Sequence, residues 1–286
     1  MSSIPPIAAE TIFHIGSFGV TNAYVNSTVV ALLLIIFSLV LGSRIKKVPG
    51  KLQNAFEALL DFLLGYFDQV THDREKSKRF LPLVGTLFLF ILLSNWFGLL
   101  PGSGSIGVWQ MVEGHLELVP VLRSANSDLN LTLAMAVVSV LASHLFGIVT
   151  LGFFVHVNKY IQLGTLAKAI KSLSPIKVLT ALVEFMVGII EIFSEAAKVV
   201  SLSLRLFGNV FAGEVLLTVI SGLVGYFVPL PFMAMELLVG VVQATVFSLL
   251  VLVYLTVATD SPHGNEEHDD EHDPAHMTEA VGLETH

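Results

Sequence analysis

The chain contains no cysteine, which excludes disulfides, thiolate metal ligation and a thiol nucleophile. Charge is scarce too: Asp, Glu, Lys and Arg together make up 13% of 286 residues against 54% hydrophobic, too little to coat an ordinary soluble domain. No lysine or arginine precedes the first apolar run, so the start lacks the positive leading region of a secretory signal and is expected to be retained. HExxH, GxSxG and a phosphate-binding glycine loop are also missing, which leaves a membrane enzyme little support. No internal repeat of the kind many transporters carry is visible, and this counts modestly against an autonomous transporter. No cofactor, resident metal or nucleic acid is expected.

What is present is apolar sequence in membrane-sized lengths. A hydrocarbon core of about 30 Å needs roughly 20 residues of helix, and such runs lie at about Tyr24 to Leu41, Phe80 to Leu100 and Leu129 to Phe154. Val178 to about Gly222 is too long for one perpendicular crossing, so it must tilt, bend or run partly along the membrane. Gly225, Pro229 and Pro231 mark a turn, and Phe232 to Ala258 forms the last span, closing a hairpin. Between Leu52 and Asp68, Phe56, Leu59, Leu60, Leu63 and Phe67 recur at helical spacing but Glu57, Asp61 and Asp68 interrupt them. This predicts an amphipathic helix lying at the interface, a sixth crossing being the alternative.

The expected fold is therefore an all-α membrane protein of five transmembrane helices plus one interfacial helix, with a long tilted hairpin over about 178–258. Residues 1–258 form the membrane domain, and 259–286 a tail. Basic residues cluster before and after the amphipathic segment and again between Lys159 and Lys177, while 101–128 holds only Arg123. By the positive-inside rule the N-terminus lies outside and the C-terminus in the cytoplasm. The surplus of 23 acids over 15 bases is concentrated in the tail. That tail, acidic and histidine-rich, lacks the apolar residues to bury a core and is expected to be disordered; histidine tracts can bind metal, but no fixed ligand geometry is implied.

Of the fifteen lysines and arginines, only Lys198 and Arg205 fall inside an apolar segment. A charge at the bilayer centre costs at least about 2.5 kcal/mol and normally faces protein or water. At about 100° per residue, Glu191, Ser194, Lys198, Ser201 and Asn209 all lie within about 40° of Arg205. This polar stripe should line water or a partner helix, and Lys198 has Glu191 and Glu195 as possible mates. No carboxylate lies three or four residues from Arg205, so its counter-charge must come from another helix or another protein. Glu214 lies about 180° around the helix from Arg205. If Arg205 is level with Gln243 in an antiparallel hairpin, Glu214 and Glu236 share one depth, and two neighbouring acids in low dielectric suit a proton relay. His144 is a weaker relay candidate, read as a lone packing histidine.

The run Ser201-Leu-Ser-Leu-Arg205-Leu-Phe-Gly-Asn209-Val-Phe-Ala-Gly-Glu214 closely resembles the signature of subunit a of F-type ATP synthases. Supporting matches are Ser127-Asp-Leu-Asn-Leu-Thr-Leu-Ala134, Asn95-Trp-Phe-Gly-Leu-Leu-Pro101 and Gln243, and the likeness spans roughly Tyr24 to Ala258. The resemblance implies a non-catalytic stator chain in the bacterial plasma membrane. Its partners would be membrane lipid, a ring of small subunits (subunit c), the peripheral-stalk subunit b and the remaining complex. Arg205 would face a carboxylate carried by the ring. Asn209, Glu214, Glu236 and Gln243 would line an outer half-channel, and Glu191, Ser194, Lys198 and Ser201 an inner one, so that proton passage drives rotation and ATP synthesis. The chain departs from the pattern at Glu236, where many bacterial relatives look to carry histidine.

Overall fold

The computed structural model describes residues 5–100, 106–112, 115–160, 175–224 and 227–260. The tail beyond 260, Gly225 of the expected turn and the basic Lys168 and Lys171 lie outside the described residues. The chain begins with a hairpin of β1 (Thr11–Ile15) and β2 (Phe18–Thr21), reversing at Gly16 with φ +65°. Thr21 then caps α1 (Asn22–Ser43). Its hydroxyl accepts from the Tyr24 N–H at 3.3 Å, a bond worth about 1 kcal/mol to a helix start.

Next come α2 (Lys51–Thr71) and α3 (Arg74–Gly98). His72 turns the chain between them with φ 53°, and the Asp73 carboxylate caps α3 through the Glu75 and Lys76 N–H groups. Arg74 also reaches back to Asp68 at 2.6 Å. The buried residues of α2, Leu63, Leu64 and Phe67 among them, lie on one side while Glu57, Asp61 and Phe62 are exposed. α2 is the amphipathic helix expected from sequence; with no long uninterrupted apolar stretch, it is not among the spanning candidates.

A second hairpin, β3 (Gly107–Val112) with β4 (His115–Pro120), follows. Neither hairpin was expected, because short strands inside a polar connection carry no periodicity long enough to read. A 3-10 turn over Ala125–Ser127 leads into α4 (Leu129–Leu151). Gly152, at φ +88°, then restarts the chain as α5 (Phe153–Tyr160), so the third apolar run ends three residues early. The expected hairpin is α6 (Pro175–Leu223) and α7 (Pro229–Thr259). The 49 residues of α6 span about 70 Å, over twice the hydrocarbon thickness. Five helices, α1, α3, α4, α6 and α7, are long and apolar enough to cross a membrane. The all-α membrane architecture expected from hydropathy is thus present, with two small hairpins added.

Contacts divide the chain into two compact units, Met1–Ser143 with Phe193–Thr256, and His144–Ile192 with Val257–His286. In the first unit, Val30, Phe80, Val84, Ile91 and Ala125 form one buried group of apolar side chains, and Leu202, Leu206, Phe247, Val251, Leu252 and Leu255 another. The loop that leads into α4 meets the end of α3 here. Asn126 Nδ2 donates to Asn95 Oδ1 at 2.8 Å and to the Ile91 carbonyl at 3.1 Å, and Ser124 Oγ donates to the Ser94 carbonyl at 3.3 Å.

Gly98 makes this junction possible. A Cβ there would meet Ser124 Cβ at 2.7 Å and the Ser124 Cα and N at 2.9 Å, and backbone cannot swing aside. Gly98→Ala should therefore destabilise the chain by about 1–3 kcal/mol, read as a lower melting temperature of the detergent-solubilised protein. Gly65→Ala in α2, where nothing lies within 4 Å, should lose nothing and gain up to about 1 kcal/mol of helix preference.

Candidate functional site

The hairpin register is set by three pairings. Asn209 Nδ2 donates to Gln243 Oε1 at 2.7 Å; the Glu236 carboxyl lies directly over Gly213; and the Lys198 ammonium sits 5.0 Å from the Tyr254 ring centroid. Gln243 is thus level with Asn209, one turn along from Arg205, which corrects the alignment expected from sequence. Angular arithmetic assigns a residue to a face but leaves the axial offset of two helices free. Here the short amide-to-amide bond fixes that offset.

The buried side of α6 is formed by Leu202, Leu206 and Val210, spaced four apart, and these lie about 60–140° around the helix from Arg205. Arg205 therefore stands off the seam, exposed together with Ser194, Ser201, Leu204 and Asn209. Its Nη2 donates to Ser201 Oγ at a long 3.4 Å. Among the described residues it has no carboxylate partner. Lys198 behaves differently: it is half-buried and takes Glu195, at 2.6 Å, as its mate rather than the more distant Glu191. Glu191 is half-buried and belongs to the second compact unit.

Glu236 is 7% exposed and makes no hydrogen bond to a described residue. Gly213 is what admits it, since a Cβ at that position would overlap the carboxyl group. The next residue of α6 is Glu214, so the Glu236 carboxyl lies within one residue of its level along the helix. Gln243 is 3% exposed, and its Nε2 has no partner among the described residues. A buried amide with unanswered donors needs a physical explanation, water being the simplest.

The residue that sequence reasoning missed is Arg123, counted there only as the lone base of an outer loop. Its Nε lies 2.9 Å from one Glu214 oxygen and 3.1 Å from the other. Nη2 donates to the Pro6 carbonyl at 2.9 Å and Nη1 to that of Ala8 at 3.4 Å, while the Arg123 carbonyl accepts from Asn26 Nδ2 at 2.7 Å. The Arg123 side chain is 2% exposed and that of Glu214 25%. Two signals pointed to this pair: a base where the charge bias disfavours one, and an acid turned away from the only arginine on its helix.

His144 is not a lone histidine. In the second unit its Nδ1 lies 3.3 Å from Nε2 of the buried His156, brought near by the bend at Gly152.

A family model described as ATP synthase A chain matches residues 24–256. The chain is 33% identical over 248 residues to ATP synthase subunit a of Geotalea daltonii, covering 86% of this chain and 91% of that one. To ATP synthase subunit a of Geotalea uraniireducens it is 33% identical over 251 residues, with 87% and 92% covered. To that of Moorella thermoacetica it is 29% identical over 257 residues, with 89% and 97% covered.

The amide bridge makes its own prediction. Asn209→Leu removes the donor to Gln243 Oε1 and leaves a buried acceptor unanswered beside an already unpartnered Nε2, at a cost of about 1–3 kcal/mol. Thermal unfolding of the purified protein in detergent should register the loss; an unchanged melting temperature means that solvent already serves Gln243.

Proposed function

The chain belongs to the ATP synthase A chain family, and from that premise we propose that it conducts protons through two offset half-channels separated by Arg205. On this reading it is the stator of the membrane sector in the bacterial plasma membrane, with its N-terminus outside and its C-terminus in the cytoplasm. The open face of α6 and α7 lies against a ring of small subunits (subunit c), each with a carboxylate in the membrane. Peripheral-stalk subunit b and the soluble ATPase complete the assembly. The observation that carries the reading is the exposed guanidinium of Arg205, in a membrane-spanning helix, with a serine hydroxyl and no described carboxylate for company.

The proposed sequence of steps follows from electrostatics. A proton enters from outside along Asn209, Glu214, Glu236 and Gln243 and neutralises a ring carboxylate. Once neutral, that site can rotate into lipid; once charged, it cannot. After nearly a full turn it reaches the inner path along Glu191, Ser194, Lys198 and Ser201 and releases its proton toward the cytoplasm. Arg205 keeps its charge at any physiological pH, so it favours ionisation of the arriving carboxyl. The same fixed charge repels a proton from crossing directly between the two paths. Flux then requires rotation, and each proton contributes about 2.3 kcal/mol per 100 mV of membrane potential, plus the concentration gradient. The unanswered Nε2 of Gln243 supports a hydrated outer path. No role is assigned to the His144–His156 pair.

Arg205→Ala should leave the complex assembled but abolish proton-driven ATP synthesis in reconstituted vesicles. Arg205→Lys should fail as well, because an ammonium lacks the planar, delocalised fork. Retained coupling in the alanine variant would overturn the reading. Glu236→Gln cannot exchange a proton and should lower passive proton flux through vesicles stripped of the soluble ATPase by about tenfold or more; unchanged flux would make Glu236 a packing residue.

A further inference from the structure

We propose that Arg123 is a positioning residue for the outer proton path, which clamps the Glu214 carboxylate by both oxygens and leaves Glu236 as the acid that exchanges protons. This inference rests on the proposed function above. It starts from an asymmetry between two carboxyls at one level of the hairpin. Glu214 is engaged: a guanidinium that does not give up its proton meets both of its oxygens within 3.1 Å. Glu236 is buried with no hydrogen-bond partner among the described residues. Glu214 and Arg123 thus form an ion pair, while the Glu236 carboxyl, over the neighbouring Gly213, has no such partner among the described residues.

The rest of the fold keeps Arg123 where it is needed. Its backbone is anchored by Asn26 of α1, and the loop that carries it by Asn126 on Asn95. The carbonyls of Pro6 and Ala8 occupy both terminal nitrogens, which aims Nε at Glu214 and draws the N-terminal segment over the pair. Gln110 Nε2, donating to the Ile12 carbonyl at 2.6 Å, ties the two hairpins together on the same segment. Of the charged groups on the surrounding elements, Arg123 of the loop contacts Glu214, Glu236 of α7 lies over the neighbouring Gly213, and Glu10 of the N-terminal segment accepts from Asn22 at 3.3 Å. Arg205, on the same helix, is turned to the opposite side.

The test uses the whole complex reconstituted in vesicles, stripped of its soluble ATPase, with passive proton flux measured as a function of pH on the outer side. Arg123→Gln should lower the flux and move its midpoint to higher pH by about one unit or more, as expected when a carboxylate loses a contacting cation. Arg123→Lys keeps the charge while losing the fork, so it should keep the midpoint even if the amplitude falls. A merely structural role would lower the amplitude in both variants with the midpoint of the unsubstituted complex, and that result overturns the proposal. If Arg123→Gln does not assemble, Glu214→Asp, which draws the carboxylate one methylene away from the guanidinium, should shift the midpoint the same way; an unmoved midpoint overturns the proposal equally. If the unsubstituted complex carries no proton flux, it is the proposed function that fails. If that complex conducts and Arg205→Ala uncouples it, a null result at Arg123 sinks this inference alone.

Discussion

A guanidinium inside a membrane protein cannot discard its charge, so the surroundings must supply an opposite one. This chain answers that constraint in two opposite ways within one compact unit. Arg123 is enclosed: one carboxylate and two backbone carbonyls occupy its nitrogens, and 2% of its side chain remains accessible. Arg205 is left open, with a serine hydroxyl at 3.4 Å. The first arrangement is complete within the chain; the second has no counter-charge among the described residues. That difference separates a residue that holds the fold together from one that awaits a partner, and it supports the reading of α6 as a surface facing a charged neighbour.

The hairpin seam shows how the sequence keeps Arg205 outward. Leu202, Leu206 and Val210 bury one side of α6, while Ala244, Phe247, Val251 and Leu255 are buried on α7. With the apolar contact on that side, Arg205, Ser194 and Ser201 are left on the free face. Besides Lys198 over the Tyr254 ring, polar groups meet across the seam at two further places, where size permits. The Asn209–Gln243 amide bond is one; the other is Gly213, whose missing side chain is the space that the Glu236 carboxyl occupies. A glycine and an amide pair thereby set the axial register that brings Glu236 to the level of Glu214.

Much of this was legible in the sequence because lipid makes hydropathy decisive. The five long helices, the amphipathic α2 and the hairpin of α6 and α7 all follow from apolar run lengths and from where charges interrupt them. The face of Arg205 was readable too, since helical angle depends on sequence spacing alone. Axial register was not: it rests on an amide pair between two helices, and the expected alignment was off by one turn. Arg123 was invisible in its role because a lone base in a loop does not announce which acid, ninety-one positions away, it will meet. The contact between His144 and His156 depends on Gly152, which bends the chain in the middle of an apolar run and interrupts no pattern. The two β-hairpins were missed because each strand is six residues or fewer, too short for alternation to stand out.

Charge counting links these pieces on the proposed reading. Two permanent cations, Arg123 and Arg205, face three carboxyls: Glu214, Glu236 and the one brought by the ring. The set is neutral when it holds one proton, and that proton can reside on Glu236 or on the ring site. An imidazole in place of Glu236 would change the sum, because histidine is neutral when empty and positive when loaded, whereas glutamate is negative when empty and neutral when loaded. With glutamate, the proton-poor state is the charged one, and it is tolerable only where a fixed cation is near and not already cancelled. Arg205, with no carboxylate partner among the described residues, is such a cation; Arg123, bound to Glu214, is not. The arrangement then needs both arginines for different reasons: one to hold the Glu214 carboxylate in an ion pair, the other to let Glu236 and the ring carboxyl trade a single proton without gathering two negative charges in the dry interior.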